Sequence, residues 1–160
     1  TLLVAIFVIL ASGAFITYRV TGSDHKLRKP QAFYMDLKTE EVFTDDIAYP
    51  PITSPEGNKA VGVRFYTCGE KSKKDAFIGY YLRYTTEGKQ QMEDPDGPRN
   101  TMMRRNQVMA NGGLQVSTDA KDWVTVRSEG ELRAWRDREI KMCPEGSQPD
   151  PVPPEAMQER

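Results

Sequence analysis

The sequence predicts an α+β fold: an N-terminal transmembrane helix, then a small, loop-rich domain of antiparallel hairpins with short helices. Three observations point there. Residues 1–18 carry no charge and are apolar almost throughout. Within 60–86, two runs rich in β-branched and aromatic residues flank a lysine-rich turn, the pattern of a β-hairpin. The chain also holds 11 prolines and 12 glycines, which favour turns and short strands over a helical bundle.

At about 1.5 Å per residue, an 18-residue helix spans roughly 27 Å, close to the hydrocarbon thickness of a bilayer. Residues 1–18 are therefore expected to lie in the lipid bilayer, with Tyr18 and Arg19 at the interface. A buried helix and a cleaved signal peptide are the competing explanations; Ser12-Gly13-Ala14 has the small-x-small form of a cleavage site. Residues 19–30 follow as a basic juxtamembrane linker with Arg19, Lys26, Arg28 and Lys29, suited to anionic head groups; by the positive-inside rule this flank taken alone favours the cytoplasm.

The α+β domain is expected over residues 31–145, on the extracytoplasmic side. Phe33–Leu37 and Val42–Thr44 form a first hairpin around Lys38–Glu41. The prolines at 50, 51 and 55 force an extended path, with Ile47, Tyr49 and Ile52 packing it onto the sheet. In the central hairpin, strict alternation puts Val61, Val63 and Phe65 on one face and Arg64 and Tyr66 on the other. In its second strand, Ile78, Tyr80, Leu82 and Tyr84 share a face opposite Phe77, Tyr81 and Arg83.

Thr86 then caps a short helix through Met92. Residues 101–109 form another helical turn, with Met102, Met103, Val108 and Met109 available to pack. Leu114–Ser117 and Trp123–Arg127 make a third hairpin. Ser128 and Glu131 form a capping box that opens a helix burying Leu132 and Trp135. Residues 146–160 read as a proline-rich extended tail, docked on a partner or free.

Phe33-Tyr34-Met35-Asp36-Leu37-Lys38-Thr39, Tyr49-Pro50-Pro51-Ile52, Gly62-Val63-Arg64, Thr67-Cys68-Gly69, Phe77-Ile78-Gly79-Tyr80, Trp123-Val124 and Cys143-Pro144 occur in this order. In that order, behind an apolar N-terminus, they resemble a group of single-pass membrane-anchored proteins abundant in planctomycete bacteria. The resemblance covers most of residues 33–144. It implies location and architecture, and the group brings no known activity. Two departures stand out. Glu40 occupies a position where members often carry glycine, and no second cysteine follows Cys68 closely.

The composition excludes several function classes. Charged residues make up 28% with a net charge of −1, which provides no field for nucleic acid. The one histidine, His25, lies in the linker, so the domain has neither a Ser-His-Asp triad nor a multi-histidine metal site. No phosphate-cradling glycine loop occurs. Asp94, Asp96 and Asn100 lack the spacing of a calcium loop. No catalytic residue, cofactor or metal is expected.

Cys68 and Cys143, the only cysteines, are expected to form one disulfide of an exported domain, two free thiols being the alternative. A bridge would close a long loop and contribute about 4 kcal/mol. Tyr80, Tyr81 and Tyr84 are the candidate ligand or partner surface. The expected role is a non-catalytic, membrane-anchored extracytoplasmic subunit, partnered by other membrane-complex subunits or by copies of itself. A pilin-like filament subunit and a free-standing ligand-binding module are the alternatives.

Overall fold

The computed structural model describes residues 30–69, 75–144 and 146–157. The expected transmembrane helix over 1–18, the basic linker before Pro30 and the lysine-rich hairpin tip lie outside these residues. Among the described residues, no helix is long and apolar enough to cross a membrane.

The domain is a mixed α+β structure built on one antiparallel sheet. Its spine is β4 (Lys59–Thr67), hydrogen-bonded along both edges. On one edge lie β1 (Gln31–Asp36) and then β8 (Asp150–Val152); on the other lie β3 (Ile52–Thr53) and then β5 (Ala76–Tyr84). Beyond them, β2 (Val42–Asp46) closes the β1 side, and β6 (Leu114–Ser117) and β7 (Val124–Val126) close the β5 side. The three expected hairpins are present.

Three helices cover one face. α1 (Thr86–Glu93) is capped by Thr85, one residue earlier than the sequence suggested, whose hydroxyl accepts from the Gly88 N–H. α2 (Thr101–Ala110) is capped by Asn100, which accepts from the Met102 and Met103 N–H groups. α3 (Glu129–Glu139) is capped by Ser128, and the Glu131 carboxylate accepts from the Arg127 N–H. Capping residues satisfy N–H groups that have no partner within the helix. Beneath these helices, Tyr80, Tyr84, Met92, Val108, Met109, Leu132 and Trp135 belong to one buried cluster. The opposite face buries Phe33, Met35, Val61, Val63 and Tyr81, with Trp123 and Met157 packed against them. There, the Arg83 guanidinium lies 4.1 Å from the centre of the Trp123 ring.

Four expectations are corrected. First, alternation along β5 breaks at Gly79. Arg64 faces Tyr80 but Phe65 faces Ile78, so β5 carries one extra residue at that point. Ile78 therefore packs with Tyr81, and Phe77 with Tyr80. A Cβ at Gly79 would meet the Tyr66 ring at 2.3 Å, so only glycine lets that ring lie across the bulge. Second, Ile47 does not pack; it is 59% exposed, whereas Tyr49 sits edge-on to Tyr84. Third, Met102 and Met103 in the first turn of α2 are exposed, and only Val108 and Met109 in its last turns are buried.

Fourth, the proline-rich stretch docks on its own domain. Asp150–Val152 pairs with Phe65–Thr67, and α4 (Pro154–Met157) follows it. Pro151 has no N–H to donate, which suits a strand with one free edge. The folded domain thus continues past residue 145 to Met157.

The Cys68–Cys143 disulfide is formed, with Cα atoms 5.4 Å apart. It joins the end of β4 to the segment that follows α3.

Candidate functional site

The central hairpin does more than form the sheet. The first strand alternates Val61, Val63 and Phe65 with Gly62, Arg64 and Tyr66, so Arg64 and Tyr66 stand on the helix-covered face. Tyr80, Leu82 and Tyr84 stand on that face from β5. α2 brings Arg105 to the same place, and α3 brings Glu129 and Arg136. The result is a cleft of about 340 Å³. Its polar groups are three guanidinium groups, three phenols and one carboxylate. Leu82, Leu114 and Leu132 give it apolar lining, and Pro151 of β8 contributes one wall.

The three arginines differ in what already holds them. Arg105 Nη2 lies 3.2 Å from Glu129 Oε1. Arg136 Nη2 lies 3.5 Å from Asp137 Oδ1, and its guanidinium lies beside the Tyr66 side chain. Arg64 is exposed and has no ion-pair partner among the described residues.

The tyrosines are anchored. Tyr80 meets Trp135 edge-on with ring centres 5.7 Å apart, and its ring centre lies 6.2 Å from that of Tyr66. Burial raises the Tyr66 pKa above the usual phenol value; Tyr80 beside it adds to this and Arg136 opposes it. Burial likewise raises Tyr84, against the pull of Arg105 and Arg64. Burial thus keeps the Tyr66 and Tyr84 phenols neutral where they stand beside the guanidinium groups.

Of the three tyrosines singled out in the sequence, Tyr80 and Tyr84 line this cleft. These two residues are only 8% and 7% exposed, so they offer edges and hydroxyls rather than stacking platforms. Tyr81 lies on the opposite face in the second core, where burial raises its pKa. Arg105 and Arg136 had no signal in the sequence, because α2 and α3 reach the cleft only through tertiary packing. Arg64 did carry one: a charge between Val63 and Phe65, on the same face as Tyr66.

A smaller hollow of about 240 Å³ adjoins the cleft through Tyr66, Arg136 and Pro151; Asp137 and Asp150 offset its single arginine. Among the described residues, no three His, Cys, Asp or Glu side chains are grouped to hold a metal ion. Asp94 and Asn100 are occupied locally, Asp94 by the Asp96 N–H and Asn100 as the α2 cap.

No family model, curated protein or solved structure matches this chain.

Proposed function

We propose that this chain is a non-catalytic, membrane-anchored module that acts outside the cytoplasm by binding. The observation that carries this reading is the arginine–tyrosine cleft. Guanidinium groups and phenol hydroxyls are hydrogen-bond donors, and their convergence on one cleft suits recognition of a ligand. Bond-breaking chemistry would need an activated nucleophile or a general base, and the cleft pairs its one carboxylate with Arg105. The extracytoplasmic side is supported by the Cys68–Cys143 bridge, because disulfides persist in oxidising compartments. The anchor is supported by the uncharged residues 1–18, and the resemblance to planctomycete membrane-anchored proteins agrees with both.

A second reading, a subunit of a larger membrane complex, is favoured by Met102 and Met103. They stand side by side at 72% and 62% exposure, and flexible thioethers suit a protein contact. Two experiments separate the possibilities. Protease added to cells whose outer envelope is opened but whose cytoplasmic membrane is intact should remove the domain; protection until the cytoplasmic membrane is lysed would refute the extracytoplasmic placement. Gentle solubilisation followed by mass spectrometry identifies companions. A chain that runs alone at every detergent concentration removes the subunit reading and leaves the binding module.

A further inference from the structure

We propose that the cleft between α2, α3 and the β4–β5 strands is a binding site for small organic anions with an apolar body, and that Arg64 is its principal anchor. The inference rests on the binding-module reading and specifies the ligand class of that same site.

Charge comes first. Arg64, Arg105 and Arg136 face one lining carboxylate, Glu129, so the cleft carries a net positive charge inside a chain whose overall charge is −1. A folded protein gains little by gathering cations around one hollow, since like charges repel. An incoming anion relieves that repulsion. Arg136 spends part of its capacity on Asp137, and Arg105 spends part on Glu129. Arg64 has no carboxylate among the described residues, so its planar fork is free to engage a carboxylate or phosphate oxygen pair.

The lining sets the rest of the ligand. Leu82, Leu114 and Leu132 border the cavity, so a bare inorganic anion leaves that surface unfilled. About 340 Å³ falls at the low end of the range for small-molecule sites. An aromatic or short aliphatic acid fits both demands: its anionic end meets Arg64, and its apolar body lies along the leucines.

Two neighbours tune the site. Glu129 competes with the ligand for Arg105 at 3.2 Å. Tyr66 lies across Gly79 beside Arg136, which lowers the phenol pKa that burial raises. Replacing Glu129 therefore strengthens binding, an effect that a purely structural glutamate would not have.

The test uses the full chain in a neutral detergent. Amide resonances are followed by NMR while benzoate, benzyl alcohol or inorganic phosphate is titrated. Benzoate should give saturable shifts at Arg64, Tyr66, Tyr80 and Tyr84, and phosphate weaker shifts at the same residues. Benzyl alcohol should give none there. Arg64→Gln should weaken benzoate binding about ten- to a hundredfold, the loss expected for a hydrogen bond to a charged group. Arg64→Lys, which keeps the charge but not the fork, should fall between, and Glu129→Gln should tighten binding.

Absence of saturable benzoate shifts in the cleft overturns the proposal, as does unchanged affinity in Arg64→Gln. If benzyl alcohol binds as tightly as benzoate, the anion inference fails while the binding-module reading stands. The location of the domain is decided separately, by protease on cells with an opened outer envelope and an intact cytoplasmic membrane.

Discussion

Reducing the Cys68–Cys143 bridge should destabilise the domain severely, with the loss concentrated on one side. The bonded residues are 75 positions apart. In the chain-entropy account, opening a loop of that length releases about 4.5 kcal/mol worth of freedom to the unfolded chain. Typical domains have only ~5–15 kcal/mol of stability in total. For a domain of this size, the melting temperature should fall by roughly 15 °C. The bridge attaches just where β8 begins to pair with β4, since Asp150 faces Thr67, the residue before Cys68. Hydrogen exchange should therefore quicken first at Asp150–Val152, the strand that supplies Pro151 to the cleft. The assay is urea unfolding of the same preparation with and without reductant. The free energy should drop by the stated amount, and the denaturant slope should rise because the unfolded chain becomes less compact. Equal unfolding free energies in the two redox states would refute the reasoning.

Three further outcomes are expected. Gly88→Ala puts a Cβ 2.4 Å from the Gly113 carbonyl oxygen, so it should cost about 1–3 kcal/mol in urea unfolding despite the better helix propensity of alanine; an unchanged midpoint would contradict the tight α1–turn contact. Glu40→Gly should gain about 0.5–1 kcal/mol in the same assay, because Glu40 is held at φ 60°, a left-handed conformation costly to any residue with a Cβ; a loss of stability would show that the glutamate side chain contributes more than its backbone costs. Asp36 is held at a pKa of about 2 by the Ser54 hydroxyl, then by the Lys38 N–H, the Asn58 amide and the Thr39 N–H. Asp119 is held at about 2 by the Asp122 and Lys121 N–H groups and the Ser117 hydroxyl. Folded pKa values below the unfolded 3.8 mean that both groups stabilise fully above about pH 4 and lose that contribution as pH falls towards 2. Asp36→Asn with Asp119→Asn should flatten this acid limb in a pH series of melting temperatures; an identical limb would refute the assignment.

The sheet was legible because its signals are local. Alternation in Val61–Tyr66 and the turn residues between strands depend on neighbours only, and Ser128-x-x-Glu131 announces a helix start by itself. What escaped had non-local causes. The Gly79 bulge exists because the Tyr66 ring on the partner strand needs room, and no periodicity within β5 records that. β8 escaped because its prolines mark it as extended without saying what it lies against. The cleft was half visible: Arg64, Tyr66, Tyr80 and Tyr84 share a face by strand geometry, whereas Arg105 and Arg136 arrive on helices whose placement no local pattern specifies.

β1 and β8 have a relation that their distance in sequence conceals. Both run antiparallel to β4 along its same edge, and Phe33 faces Val63 where Val152 faces Phe65. The third strand residue of β1 and the last of β8 thus meet β4 only two residues apart. The two form a single split strand, broken where the chain enters the domain, and α4 crosses back over β1 from the break. Entry and exit share one corner, so a pull from the N-terminal side is borne first at that seam. It would peel β1 from β4 one hydrogen bond at a time, while the helices, the cleft and the disulfide on the remaining strands stay out of the line of force.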